Sequence, residues 1–171
     1  MEGLARLTRR AWQVLAAGAL TVPFALALEL FVLALVIPLG LRAAFPVFVL
    51  GVAFVEEALK LLPARAFAQA HGVRGLQAGA WSGVGFFLGE KIALLVALVG
   101  FGLLPFGSTS LALWGIGGVT VLLAPLLLHS ATTALSVSGT RRGGRRAGRA
   151  WLGACAVHAG YNIALLAGVL T

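Results

Sequence analysis

The chain has 171 residues, of which 60% are hydrophobic and only 11% are Asp, Glu, Lys or Arg. Soluble domains carry about 25% charged residues, so the composition excludes an ordinary water-soluble fold. The formal charge of +8 does not read as a nucleic-acid surface, because the positives sit beside apolar segments where membrane topology accounts for them.

The expected fold is all-α: one integral membrane domain over residues 1–171, a polytopic bundle of about five transmembrane helices. The start, MEGLARLTRRAWQV, resembles the basic region of a signal peptide. The apolar run behind it is much longer than a signal core of roughly 7 to 15 residues, and a retained first span is expected. That crossing falls within 11–40, long enough to need a tilt or a bend near Pro23, and it contains Glu29. A second span over 43–62 ends at Pro63 and is followed by a polar link, ARAFAQAHGVRG. The third covers 76–101. Pro, Gly and hydroxyl residues in LLPFGSTS then make a turn, and a fourth span covers 111–137. An Arg/Gly run at 140–149 forms a basic link before the fifth span, 150–170. Residues 92–140 contain no Asp, Glu, Lys or Arg at all.

With alternating crossings, Arg6, Arg9, Arg10, Arg65, Arg74 and the five arginines of 141–149 all fall on one side, and only Arg42 falls opposite. The positive-inside rule makes that side cytoplasmic, with the N-terminus and the 140–149 link inside and the C-terminus outside. TRRGGRRAGR is read as a membrane anchor rather than a nucleic-acid tail, so no nucleic-acid partner is expected. No internal repeat is evident, which weakens a transporter reading.

Ionisable groups are costly in the bilayer interior, by about 2.5 kcal/mol or more, so each one in a span is a functional candidate. They are Glu56, Glu57 and Lys60 in FVEEALK, Glu90 with Lys91 in GFFLGEK, His129 in LLLHSATTAL, and His158 in HAGYN, where the polar but neutral Asn162 accompanies it. Glu29 stands alone. Counted from the cytoplasmic ends at the helical rise, Glu56, Glu90, His129 and His158 lie at depths of roughly 12 to 21 Å in a hydrocarbon layer of about 30 Å. Four helices therefore present polar groups in one layer. The pairs Glu56/Lys60, Phe86/Glu90 and His158/Asn162 are each four residues apart and share a helix face. Glu57 points about 100° from Glu56, placed to pair with Lys60 or to support the site from the side. Gly79, Gly83, Gly85, Gly89, Ala154, Ala159 and Gly160 permit close helix packing around them.

A carboxylate among imidazoles can hold a water, take its proton and pass that proton to a leaving amine. An Asn amide or a His can stabilise the oxyanion that forms at a peptide carbonyl. The set Glu56, Glu90, His129 and His158 also suits Zn²⁺, which takes His nitrogen and Glu oxygen. There is no HExxH motif, so a metal-free site and a zinc site both stay open.

The order EExxK in FVEEALK, FxxxE in GFFLGE, an intramembrane His in LLLHS and HxxxN in HAGYN resembles the PrsW family of intramembrane proteases, within the CAAX prenyl endopeptidase and bacteriocin-immunity (Abi) superfamily. The resemblance covers about 43–166. It implies a peptide-bond hydrolase in a prokaryotic cytoplasmic membrane, acting on a membrane-associated protein. It also implies catalytic roles for Glu56, Glu57, Glu90, His129, His158 and Asn162, with Lys60 and Phe86 in support. Glu56 would be the water-activating base, His158 would assist the water or bind metal, and Asn162 would serve the oxyanion. Glu90 occupies a position where the CAAX branch has His, which favours the PrsW branch. The chain departs from the pattern in its short length, in the spacing of Lys60, and in having little extramembrane material to select a substrate.

Other readings compete. The polar set can be a packing network, a proton or cation path, or part of a scaffold that binds a partner helix without cutting it. Ser130 and Ser82 lack the setting of a serine nucleophile, Ser130, Thr132 and Thr133 can form a local hydrogen-bond patch, and Cys155 reads as a packing residue.

Overall fold

The computed structural model describes residues 2–100, 108–140 and 144–170, and the side chains of 9–40, 42–100, 122–140 and 144–165. All regular structure in it is helical: α1 (Glu2–Leu20), α2 (Val22–Val36), a short 3₁₀ turn (Ile37–Leu39), α3 (Leu41–His71), α4 (Gly75–Gly100), α5 (Ser108–Thr140) and α6 (Gly144–Leu170).

The first apolar stretch is interrupted where the sequence places Pro23. A proline has no N–H to continue the ladder, and α2 restarts with Pro23 in its first turn. The Thr21 hydroxyl donates to the Gly18 carbonyl at 2.7 Å across the break. The second expected boundary is different. α3 does not stop at Pro63 but runs on to His71, taking in most of the expected polar link. Its Ala- and Arg-containing tail favours helix, and buried Ala64 and Ala68 hold it against Ala78 of α4 and Val137 of α5. Gly72, at φ 63°, then ends it in the left-handed conformation. The basic link is likewise shorter than 140–149, since α6 begins at Gly144. Arg141 and Arg142, with the first part of the LLPFGSTS turn, lie outside the described residues.

Contacts between close-packed backbones fix the directions of the helices. Gly85 and Gly89 of α4 meet Leu15 and Ala19 of α1 in the same order, so these two run parallel. Gly79 and Gly83 meet Ala134 and His129 in reversed order, so α4 and α5 are antiparallel. Gly139 of α5 meets Ala150 near the start of α6. α6 also packs along α3, through Phe54 against Trp151 (ring centroids 5.1 Å apart) and through Ala159 against Val49 and Ala53. One end of the bundle therefore gathers the start of α1, the end of α3, the start of α4, the end of α5 and the start of α6. There Arg10 donates to the His71 carbonyl at 3.5 Å.

Polarity is inverted relative to a soluble bundle. Large apolar side chains such as Leu20, Phe24, Leu30, Leu62, Val96 and Leu127 are exposed, while Glu57, Lys60, Ser82, Thr133, Ser136 and His158 are buried. This is the arrangement expected when lipid is the solvent. Among the described residues three segments are long and apolar enough to cross a bilayer: Arg9–Leu39, Gly75–Gly100 and Leu122–Thr140. α3 and α6 are long as well, but Glu56, Glu57 and Lys60 interrupt the first, and Arg145, Arg146 and Arg149 open the second.

Candidate functional site

The buried polar layer is assembled by four helices around Lys60. α3 contributes Glu56, Glu57 and Lys60 from little more than one turn. α5 brings His129 and, three residues on and so on nearly the same face, Thr132. α6 brings His158. α4 closes the site with Ser82, Phe86 and Glu90, at the level where Gly83 lets its backbone touch the backbone of α5 at His129 and Ser130.

Lys60 is fully buried. Its Nζ donates to Glu57 Oε1 at 2.7 Å and to Glu56 Oε2 at 3.4 Å, and lies 2.8 Å from His129 Nδ1. A lysine ammonium has three N–H donors and no acceptor, so these three neighbours account for all of it. His129 Nδ1 must then accept, which leaves the proton on Nε2, and that atom faces Glu90 Oε2 at 3.1 Å. Glu90 also takes a hydrogen bond from Lys91 at 3.1 Å. The Phe86 ring supports the same two groups, with its centroid 4.8 Å from Lys60 Nζ and 5.5 Å from the His129 ring. Ser82 donates to the Lys60 carbonyl at 2.9 Å, fixing the backbone from which this side chain departs.

Glu57 organises the other half. Its Oε1 accepts from Lys60 at 2.7 Å and from Thr132 at 2.9 Å, and lies 2.9 Å from His158 Nδ1. A carboxylate crowded by donors takes the Nδ1 proton as a further donor, so the free lone pair of His158 is on Nε2. That nitrogen faces Glu56 Oε2 at 3.6 Å, and the same oxygen lies 3.7 Å from His129 Nδ1. Glu57 Oε2 is buried with no hydrogen-bond partner among the described residues.

The structure thus brings together Glu56, Glu57, Lys60, Phe86, Glu90, His129 and His158. Asn162 stands apart, one turn beyond His158, on the wall of a groove of about 190 Å³ with Phe48, Val49, Val52 and Leu165. No described hydrogen bond joins its amide to the cluster. Two participants were not anticipated from sequence in these roles. Thr132 reads there as part of a local hydroxyl patch, although its i+3 spacing from His129 places it on the same face. Glu29 on α2 lies close enough to interact electrostatically with Glu56, Glu90 and Lys60; its signal was a lone carboxylate in an apolar span.

Glu56, His129 and His158 can each turn a ligand atom to a common point, the three atoms lying within 4.8 Å of one another. One carboxylate and two imidazoles form a donor set that zinc accepts, and each imidazole has a carboxylate behind its other nitrogen, as metal-binding histidines commonly do. The chemical type of the donors fits a metal, but Lys60 already engages two of the three. Glu90 serves as partner to His129 rather than as a member of this triad.

No protein-family model matches this chain, and neither the curated proteins nor the solved structures include a match. Fold and site by themselves define a membrane-embedded helical protein with a buried Glu/His cluster capable of acid–base or metal chemistry.

Proposed function

We propose that the protein is an intramembrane endopeptidase of the PrsW type, hydrolysing a peptide bond of a membrane-associated protein with a water activated by Glu56 and His158. The observation that carries this reading is the facing pair of Glu56 Oε2 and His158 Nε2, 3.6 Å apart, with His158 held from behind by Glu57. A water spanning two such acceptors gives up a proton to one of them as its oxygen attacks the carbonyl carbon, and the same group returns the proton to the departing amine. Lys60 places a positive charge beside the carboxylate that takes part. If zinc is resident, Glu56, His129 and His158 would hold it, and it would supply polarisation of the water. The reading carries with it five crossings, with the arginine-rich end cytoplasmic, in a prokaryotic cytoplasmic membrane.

The test is reconstitution of the full chain in liposomes with a panel of single-span reporter proteins, the products being read by mass spectrometry. Glu56→Gln and His158→Ala should each abolish cleavage while keeping the wild-type elution profile and melting behaviour. Cleavage at the wild-type rate by both variants would overturn the assignment.

A second reading, proton or cation passage, is favoured by one feature. An unbroken series of polar contacts runs from Glu90 through His129, Lys60 and Glu57 to Thr132. Thr132 in turn lines a groove of about 610 Å³ between α5 and α6. Proton flux in proteoliposomes of the chain that disappears in Glu57→Gln, with no cleavage when the reporters are added, would establish it in place of proteolysis.

A further inference from the structure

We infer that Lys60 is the resident cation of this site: its ammonium occupies the position a divalent metal would need, and the cluster works without one. The inference bears on the zinc alternative above, but it does not depend on proteolysis, because metal binding can be measured directly.

Every other requirement of a metal centre is met. The donors are of the right types and converge, and Glu90 and Glu57 orient the two imidazoles. What is missing is a full set of uncommitted donors: His158 Nε2 is free, but the other two members of the triad are engaged by Lys60. His129 has its Nε2 committed to Glu90, so only Nδ1 could bind a metal, and Nδ1 is the atom that Lys60 Nζ reaches at 2.8 Å. Glu56 Oε2, the carboxylate oxygen that faces both imidazoles at 3.6 and 3.7 Å, is shared with the same ammonium at 3.4 Å. A metal at the triad would have to break both contacts and stand beside a buried positive charge. The lysine has no alternative acceptor within these contacts except Glu57, at 2.7 Å, and it is fully buried. Like charges at such distances in a weakly polarisable interior repel strongly.

The charge count points the same way. With Glu56, Glu57 and Glu90 ionised and the imidazoles neutral, the hydrogen-bonded groups Glu56, Glu57, Glu90, Lys60 and Lys91 sum to a single negative charge, Glu29 lying outside this hydrogen-bonded set. Removing the Lys60 charge leaves two negatives, which a divalent ion neutralises. The lysine therefore does electrostatically what a metal would do, from a covalently fixed position that chelators cannot empty.

The experiment is titration of the purified full chain in detergent with Co²⁺ alone, followed by visible d–d absorption and by thermal unfolding. The wild-type protein should show neither a four-coordinate cobalt spectrum nor a melting shift. Lys60→Met, which keeps most of the apolar stem, should bind one Co²⁺ at least about 100-fold more tightly, and this signal should vanish when Glu56→Gln or His158→Ala is added. If Lys60→Met fails to fold because Glu57 is left unpaired, Lys60→Met/Glu57→Gln is read in its place with the same expectation. Stoichiometric cobalt binding by the wild-type chain that is lost in His129→Ala would overturn the inference. So would a folded Lys60 variant that binds no more cobalt than wild type. Neither result would alter the outcome of the reporter-cleavage test, so the two proposals fail separately.

Discussion

Replacing Gly83 with alanine perturbs the site without touching any of its side chains. A Cβ built on Gly83 falls directly against the His129 carbonyl oxygen and lies 2.6 Å from its carbon and 2.7 Å from Ser130 Cα, whereas ordinary contact begins at 3.4 Å, so α4 and α5 must separate by about 1 Å. The obstruction is backbone, which cannot rotate away as a side chain tip can. His129 sits on the retreating helix, and its contacts of 2.8 Å with Lys60 and 3.1 Å with Glu90 stretch towards the limit of a hydrogen bond. Overpacking of this kind costs about 1–3 kcal/mol, which for a chain of this size lowers the melting temperature by about 2–12 °C. Reporter cleavage should fall further than stability does, because a catalytic geometry tolerates only about 0.5 Å of displacement. Gly153→Ala is the control, since nothing lies within 4 Å of a Cβ there. Its melting temperature should stay at or slightly above the wild-type value, because alanine is the better helix residue. The assay is intrinsic-fluorescence unfolding in detergent beside the liposome cleavage assay. If Gly83→Ala matches Gly153→Ala in both, the claim that backbone contact between α4 and α5 sets the position of His129 is wrong.

Two further substitutions probe the surroundings of the cluster. Phe86 is 1% exposed and covers both Lys60 and His129, so Phe86→Ala should destabilise by about 3–5 kcal/mol; Phe86→Leu should recover most of this but remain about 1 kcal/mol short, for want of the cation–π contact. Denaturant titration in mixed micelles separates the two, and equal stability of Phe86→Leu and wild type would argue against that contact. Glu29 has no hydrogen bond or ion pair among the described residues and lies near Glu56 and Glu90, so Glu29→Leu should stabilise the protein by about 1–3 kcal/mol. A drop in melting temperature would mean that the carboxylate has a partner that holds the bundle together.

The membrane character, the helical class and nearly all the participating residues were legible in the sequence, because each depends on chemistry that is local. A charged group in an apolar run is conspicuous whatever the fold, and helical spacing alone pairs Glu56 with Lys60 or Phe86 with Glu90. The limits of the helices were less legible. Pro63 reads as a stop, yet α3 continues because Ala64 and Ala68 are buried against α4 and α5, and tertiary burial outweighs one lost backbone bond. Asn162 shares a face with His158, but one further turn along α6 carries it out of the cluster and onto a separate groove.

What the sequence by itself determined, then, is the solvent this chain is built for and which helical segments carry its ionisable groups, since composition and helical spacing are properties of single segments. Which atom faces which was decided only by tertiary structure. Lys60 is four residues from Glu56 in any helix, but its contact with His129 spans 69 positions of sequence. Gly79 and Gly83 set the α5 side of it by letting α4 touch the α5 backbone beside His129, while buried Ala64 and Ala68 hold α3 against α4 and α5. That contact turns a set of residues that could equally hold zinc into one already centred on an ammonium.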